Sequence, residues 1–258
     1  MDIKKIAESF YEAEKNRQQI DPPARSNSSM SIEDAYAVQL ENIARKINED
    51  KEKLIGMKIG LTSRGMQKLL AVNEPDYGHL TDRMLLQEGA PCEMSRLIQP
   101  KVEGELAFLL DKDITGPGAT LADVYNAVSW VVPAIEVVDS RVRDWKITLL
   151  DTVADNGSSA MLVLGGGMKR LKDIDLRLIG MILEKNGELV NSGTGAEVMG
   201  NPAQAVVWLA NKLSCFGKRL TAGSIVMSGA LTAAQAAQAG DNFSVSFHGM
   251  GNISIRFV

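Results

Sequence analysis

Three glutamates are the residues of this chain best suited to do chemistry. Glu103 and Glu105 lie one residue apart in the run Lys-Val-Glu-Gly-Glu-Leu-Ala-Phe, and Glu136 interrupts the apolar run 131–138. Side chains alternate across a β-strand, so a strand would place Glu103 and Glu105 on the same face. Neighbouring buried carboxylates repel each other unless a proton or a cation compensates them. Three converging carboxylates suit a hard divalent ion such as Mg²⁺ or Mn²⁺.

The two paired glutamates also fit a simpler structure. In that structure Glu103 and Glu105 line the solvated face of a half-exposed strand, as lone charged residues usually do. Glu136 favours burial instead, because a strand that is apolar on both sides of it is expected to be buried on both faces. A buried glutamate needs a partner that compensates its charge.

Four further segments carry polar groups that could take part in chemistry. Lys58 lies in a predicted strand between two glycines, where it could hold an anionic substrate or transfer a proton, or simply be a surface lysine. Asp76 lies in the turn-like segment 73–78, where aspartate often only caps the backbone. Residues 155–159 and 227–230 could offer hydroxyl or backbone N–H donors to a carboxylate, or be plain turns. None of the four is convincing alone.

Composition excludes several classes of protein. The 258 residues are 45% hydrophobic and 23% charged, and a formal charge of −4 gives no support for nucleic-acid binding. No apolar stretch approaches the roughly 20 residues that span a bilayer, and the charged N-terminus has no signal-peptide core. The sequence therefore predicts a cytoplasmic protein without membrane segments. Its two cysteines, Cys92 and Cys215, suggest neither a disulfide framework nor a zinc site, and with only two histidines any catalysis must depend on carboxylates and lysines.

The hydrophobic pattern predicts an α+β protein with a helical N-terminal region over residues 1–52 and a β-rich domain over residues 53–258. Strands outnumber helices in the second part and do not alternate with them regularly, which argues against a doubly wound sheet. The predicted helices cover residues 2–19, the segment beginning at Ser31, and residues 64–70, 121–129 and 202–215. The predicted strands cover residues 54–61, 104–110, 131–138, 160–164, 179–183, 189–192, 224–228, 243–247 and 253–258.

Ordered motifs along nearly the whole chain give it a family resemblance. The segments that carry it are 56–63 (Gly-Met-Lys-Ile-Gly-Leu-Thr-Ser), 73–78 (Asn-Glu-Pro-Asp-Tyr-Gly), 99–105 (Gln-Pro-Lys-Val-Glu-Gly-Glu), 133–141 (Pro-Ala-Ile-Glu-Val-Val-Asp-Ser-Arg), 143–145 (Arg-Asp-Trp) and 151–156 (Asp-Thr-Val-Ala-Asp-Asn). Together they resemble the 2-oxopent-4-enoate (2-hydroxypenta-2,4-dienoate) hydratase branch of the fumarylacetoacetase superfamily. The motifs are specific for the superfamily and less decisive between sister activities.

The resemblance implies a mixed β-sheet roll with an N-terminal helical region, usually assembled into a homo-oligomer. It implies Mg²⁺ or Mn²⁺ on Glu103, Glu105 and Glu136, with the substrate's C1 carboxylate and C2 oxygen chelating the metal. A dienol would gain a proton at C5, and water would then add at C4 to give 4-hydroxy-2-oxopentanoate, in the meta-cleavage breakdown of aromatics. Lys58 and Asp76 are the candidates for proton transfer or water positioning. Weaker candidates for substrate contacts are Ser158 and Ser228.

Three other functions remain open at this point. Sister enzymes with the same metal site include 4-oxalocrotonate decarboxylase and the hydratase of a seven-carbon 2-oxo dioate. The resemblance implies that hydratases carry aspartate at the position of Asp76, where decarboxylases carry an apolar residue, and Arg143-Asp-Trp145 is also hydratase-like. The last alternative is a non-catalytic partner subunit, since hydratase and decarboxylase families associate. The complete set of candidate residues argues against a lost site.

Overall fold

The computed structural model describes residues 1–69 and 71–258. Its helices are α1 (Ile3–Asn16), α2 (Pro23–Ser26), α3 (Ile32–Asn48), α4 (Arg64–Leu69), α5 (Leu121–Ala127), α6 (Leu149–Ala154) and α7 (Pro202–Ser214). Its strands are β1 (Leu54–Gly60), β2 (Asp76–Thr81), β3 (Leu85–Leu86), β4 (Pro91–Cys92), β5 (Lys101–Leu110), β6 (Val128–Val138), β7 (Ser159–Leu164), β8 (Gly180–Lys185), β9 (Glu188–Thr194), β10 (Ile225–Met227), β11 (Gln235–Ala236), β12 (Asn242–Phe247) and β13 (Gly251–Phe257).

The strands form two mixed sheets. The larger sheet has the order β2-β1-β10-β5-β6-β7-β3, with β11 paired to β5, and the smaller sheet has the order β4-β13-β12-β8-β9. Both sheets combine antiparallel and parallel pairs: β1 with β10 and β3 with β7 are parallel in the larger sheet, and β13 with β4 is parallel in the smaller one. The predicted α+β fold with a mixed β-sheet and helices at the N-terminus is confirmed. The boundary between residues 52 and 53 stays a prediction.

The pairing register of the larger sheet places the candidate glutamates and Lys58 on one face. Glu103 of β5 lies directly opposite Glu136 of β6, and Glu105 is two residues further along the same face. On β1, Lys58 pairs with Met227 of β10, which pairs in turn with Ala107 of β5. Since residues paired across a sheet share a face, Lys58 lies on the face that carries the glutamates.

A small apolar cluster covers the remainder of this face. Its buried members are Leu80, Met84, Ala107, Val132, Ala134, Leu162 and Met227. Ala107 follows Glu105 by two residues, and Ala134 precedes Glu136 by two. Glu105 and Glu136 therefore lie beside hydrocarbon, where ionised oxygens are poorly hydrated.

The N-terminal helices pack against the elements that carry the polar residues. Ser31 caps α3 in a capping box with Asp34, as the Ser-Ile-Glu-Asp sequence predicts. From α3, the buried Gln39 side chain donates to the backbone carbonyls of Tyr77 in β2, at 3.0 Å, and Val153 in α6, at 2.8 Å. The helical region thus fixes the start of β2, where Asp76 lies.

Several predicted boundaries differ from the structure for local reasons. The first helix ends at Asn16 because Arg17 adopts a left-handed conformation, with φ of 54°. The helix predicted over 121–129 ends at Ala127, since the next residues already belong to β6. The turn predicted over 73–78 is wrong from Asp76 onward, because β2 begins there and pairs with β1. The helix predicted over 64–70 is present as α4, and residue 70 lies outside the described residues.

Candidate active site

The three glutamates converge as the sequence predicts. One carboxylate oxygen from each of Glu103, Glu105 and Glu136 lies within 4.8 Å of the other two. Glu105 and Glu136 have 0% of their surface exposed, and Glu103 is half-buried. The explanation that the pair lines a solvated strand face is therefore wrong for Glu105.

Each buried carboxylate has one oxygen with a donor and one without. The Ser159 hydroxyl donates to Glu136 Oε1 at 2.6 Å, and the Gly229 backbone N–H donates to Glu105 Oε2 at 2.9 Å. Within the described residues, Glu105 Oε1 and Glu136 Oε2 have no hydrogen-bond partner. Buried polar atoms are nearly always paired, and Glu136 Oε2 has only the Lys58 ammonium group 3.4 Å away, so both oxygens are open to a further ligand.

Negative charge on Glu103 and Glu105 is unfavourable when no cation is bound. Burial, together with the neighbouring Glu136 carboxylate, raises the pKa of Glu103 to about 7. Burial raises the pKa of Glu105 well above its usual range, and Glu136 and Glu103 add to the effect. Oxygen ligands on rigid strands, two of them with unpaired atoms, are the donor set that Mg²⁺ and Mn²⁺ prefer. The residues present therefore fit a hard divalent cation.

Lys58 is a buried cation beside the acidic cluster. It is 4% exposed, and its Nζ lies 3.4 Å from Glu136 Oε2 and 3.0 Å from the Gly157 carbonyl oxygen, to which it donates. Burial alone would lower its pKa, but the negative charges of Glu136 and Asp76 outweigh burial and raise it. The interpretation of Lys58 as a surface lysine is wrong, and its ammonium group stays charged at neutral pH.

Asp76 lies next to Lys58 on the same face of the sheet. It pairs with Gly60 of β1, is 2% exposed, and its Oδ1 has no hydrogen-bond partner among the described residues. A Cβ at position 60 would lie 2.1 Å from Asp76 Oδ1 and 3.4 Å from Lys58 Nζ, so only glycine allows this approach. Burial raises the pKa of Asp76, which brings it nearer to the range useful for proton transfer.

The two serines occupy different environments. The Ser158 hydroxyl donates to Asp155 Oδ2 at 3.0 Å. This hydroxyl therefore binds the buried ion pair that Asp155 forms with Arg141. Ser228 is fully buried, its hydroxyl has no partner within the described residues, and it precedes the Gly229 N–H that binds Glu105. The substrate contacts predicted for Ser158 and Ser228 stay predictions.

The sequence predicted which segments offer hydrogen-bond donors to a carboxylate, but not which residues within those segments donate. Ser159 and Gly229 lie in the two segments expected to offer donors to a carboxylate, and the carboxylates they bind belong to the protein itself. The importance of Gly60 and of the Gly157 carbonyl was missed. The glycines on both sides of Lys58 were the only sequence signal for a role of Gly60. No local sequence pattern indicated a role for the Gly157 carbonyl.

A cavity of about 570 Å³ gives access to the cluster. Glu103 lines it, together with apolar groups that include Ile59, Met66 and Leu231. Lys101, two residues before Glu103 on β5, also lines it, and its Nζ lies 4.1 Å from the ring centroid of Trp145. The cavity can therefore hold a small organic anion with an apolar portion beside Glu103 and Lys101.

Comparison with known proteins places this geometry in a family. Residues 61–258 match the family described as fumarylacetoacetate (FAA) hydrolase, C-terminal. The chain belongs to the fumarylacetoacetate hydrolase family. The resemblance drawn from the sequence motifs is thereby confirmed.

Members of the fumarylacetoacetate hydrolase family similar to this chain include hydratases and a decarboxylase. A 2-hydroxyhexa-2,4-dienoate hydratase of Comamonas testosteroni is 44% identical over 96% of this chain and 94% of the relative. A 2-hydroxypent-2,4-dienoate hydratase of Pseudomonas putida is 44% identical over 83% of this chain and 97% of the relative. The solved 4-oxalocrotonate decarboxylase of Pseudomonas putida G7, complexed with magnesium and adipate, has a TM-score of 0.96 and 38% identity, and the match covers 99% of this chain and 97% of that one.

Proposed function

We propose that this chain is a metal-dependent hydratase that adds water to 2-hydroxypenta-2,4-dienoate and forms 4-hydroxy-2-oxopentanoate. The observation that carries the proposal is the buried Asp76 carboxylate, whose Oδ1 has no hydrogen-bond partner in the described part of the chain, beside the charged Lys58 and the acidic cluster. An enzyme that adds water needs such a group to orient the water molecule and accept its proton. Relatives named as dienoate hydratases at 44% identity support the same reaction class.

The candidate metal-binding and proton-transfer residues each have a role in this proposal. Glu103, Glu105 and Glu136 hold the divalent cation, Mg²⁺ or Mn²⁺. When bound, the cation supplies Lewis-acid stabilisation of negative charge on the substrate. Lys58, charged and aimed at this cluster, supplies a proton or holds developing negative charge. Asp76 accepts a proton from water and orients the water molecule.

The strongest alternative is decarboxylation of 4-oxalocrotonate. It is favoured by the close structural match to the decarboxylase of Pseudomonas putida G7. Against it stands Asp76, because a buried carboxylate would repel the carboxylate that must leave as CO₂. The geometry therefore supports hydration better, and a seven-carbon dioate substrate is the next hydratase alternative.

The first experiment follows the loss of ultraviolet absorbance of freshly generated 2-hydroxypenta-2,4-dienoate and identifies the product. We expect 4-hydroxy-2-oxopentanoate to form in Mg²⁺ or Mn²⁺ and its formation to stop in EDTA. Release of CO₂ from 4-oxalocrotonate without hydration would transfer the assignment to the decarboxylase. Inactivity on both, with turnover of the seven-carbon dioate, would change the substrate only, whereas inactivity on all three would support a non-catalytic partner subunit.

Affinity for Mn²⁺ is expected to increase with pH between about 6 and 8. The pKa of Glu103 is raised to about 7, so this group gives up its proton within this range when no cation is bound, and the pKa of Glu105 is raised as well. Binding must release those protons, and one released proton changes the dissociation constant about tenfold per pH unit. Calorimetric titration of Mn²⁺ in two buffers of different ionisation enthalpy measures both the affinity and the proton release. A dissociation constant that is equal at both ends of the range would contradict protonated ligands.

The assembly and location of the chain are also part of the proposal. Among the described residues, no helix combines the length and apolarity needed to cross a bilayer. A homo-oligomer in the cytoplasm is expected, and a complex with a sister decarboxylase would fit the similarity of the two enzyme types. Light scattering of the purified chain, alone and mixed with a decarboxylase relative, measures both associations.

A further inference from the structure

The turn that joins α6 to β7 has a backbone conformation that its surroundings must enforce. Asn156, Gly157 and Ser158 have consecutive φ angles of 58°, 62° and 52°. Residues other than glycine rarely adopt positive φ, and two of these three carry a side chain. Contacts outside the turn must therefore hold it in place.

A buried ion pair supplies those contacts. Arg141 is 3% exposed and Asp155 is 2% exposed, and Arg141 Nε donates to Asp155 Oδ1 at 2.5 Å. The guanidinium also donates through Nη2 to the Asp155 carbonyl at 2.6 Å and through Nη1 to the Asp139 carbonyl at 2.8 Å. Asp155 Oδ2 accepts from the Ser158 hydroxyl at 3.0 Å, which closes the turn on the ion pair.

The same turn contacts both strands that carry the proton-transfer candidates. The Gly157 carbonyl oxygen accepts from Lys58 Nζ at 3.0 Å, and a Cβ at position 157 would lie 3.1 Å from Lys58 Cδ. The Asn156 side chain accepts from the His79 backbone N–H at 2.7 Å and donates to the His79 carbonyl at 2.9 Å. His79 lies on β2, the strand that starts with Asp76.

We propose that Arg141 and Asp155 are positioning residues that set the location of the Lys58 ammonium group through the Gly157 carbonyl. Neither residue belongs to the acidic cluster, and both are hydrogen-bonded within the turn, so their effect on Lys58 passes through it. A buried ion pair is seldom the most stable choice for a protein interior, and a guanidinium that donates to the backbone carbonyls of Asp139, Asp155 and Ser159 fixes the geometry of the turn. The inference rests on the proposed function, in which Lys58 acts on the substrate.

A double-mutant cycle tests this role. Asp155→Asn is expected to lower kcat about tenfold to a hundredfold, while KM and the dissociation constant of Mn²⁺ change little. In the Lys58→Met background, Asp155→Asn is expected to cause no further loss of kcat, because the group that it positions is absent. Arg141→Lys keeps the positive charge but loses the guanidinium fork, and should reproduce the loss if Asp155→Asn does not fold.

The matched control is Asp241→Asn, next to β12 of the smaller sheet. Asp241 is 3% exposed, binds Lys185 Nζ at 2.8 Å and accepts from the Asn186 side chain at 2.9 Å, so the substitution removes a buried, ion-paired carboxylate outside the acidic cluster. It is expected to lower stability without changing kcat. If Asp155→Asn and Lys58→Met reduce kcat independently, or if Asp155→Asn leaves kcat unchanged, the positioning role is wrong.

A stability measurement separates this inference from the proposed reaction. If the wild-type chain hydrates no dienoate, the cycle is repeated with the free energy of unfolding in urea as its readout. Non-additive effects of Asp155→Asn and Lys58→Met on the free energy of unfolding would still support the structural link through Gly157, even if the proposed function is wrong. Additive effects would overturn the link itself.

Discussion

Glu105→Gln is expected to abolish hydratase activity and to weaken Mn²⁺ binding at least about a hundredfold. Glu105 is completely buried, and its Oε1 has no partner within the described residues, so this atom is the one most available to a cation. Glutamine keeps the shape of the side chain and its acceptor for the Gly229 N–H, but it removes the negative charge. Titration of Mn²⁺ into the metal-free protein, with the dienoate assay beside it, measures both effects.

The same substitution should stabilise the metal-free protein above neutral pH. Because burial raises the pKa of Glu105, the folded state binds the proton more tightly than the unfolded chain, and ionising the group as pH rises costs stability. An uncharged side chain avoids that cost. The control is Glu184→Gln on β8 in the smaller sheet, which should change neither metal affinity nor activity. Unchanged Mn²⁺ affinity in Glu105→Gln would remove the metal site from the proposal.

Local sequence signals were sufficient to predict the acidic cluster but not its geometry. The alternation of a strand places Glu103 and Glu105 on one face, and a glutamate within an apolar run indicates burial at Glu136. That Glu103 lies opposite Glu136 depends on the register between β5 and β6, which the intervening residues and α5 help to set. Such pairing is a long-range property, and no motif within either strand encodes it.

Asp76 shows why the remainder of the site could not be predicted from local pattern. Proline precedes it and Gly78 follows two residues later, and both are turn signals. The segment nevertheless begins a buried strand, because pairing with β1 and the hydrogen bond from Gln39 to Tyr77 determine its conformation. The family resemblance identified Asp76 as a candidate, whereas its place beside Lys58 required the tertiary structure.

Asp76→Asn is expected to separate the two chemical steps of the proposed reaction. Asparagine fits the space that Gly60 leaves open but cannot accept a proton, so kcat for hydration should fall by about 10²- to 10⁴-fold. Affinity for Mn²⁺ should change by less than about tenfold, because Asp76 is not one of the three clustered glutamates. Calorimetry and the dienoate assay, with Asp241→Asn as the buried-aspartate control, measure these quantities.

The fate of the dienol in D₂O identifies the step that Asp76 serves. In the proposed reaction, protonation at C5 precedes addition of water at C4, so an enzyme that lacks only the water-activating group should still add deuterium at C5. We expect Asp76→Asn to accumulate the deuterated 2-oxo acid with a double bond between C3 and C4, detected by NMR, with little 4-hydroxy product. Lys58 remains in that variant, next to the acidic cluster, and can still assist the first step. Loss of deuterium incorporation together with hydration would assign Asp76 to the first proton transfer, and an equal loss of Mn²⁺ affinity would make its role structural.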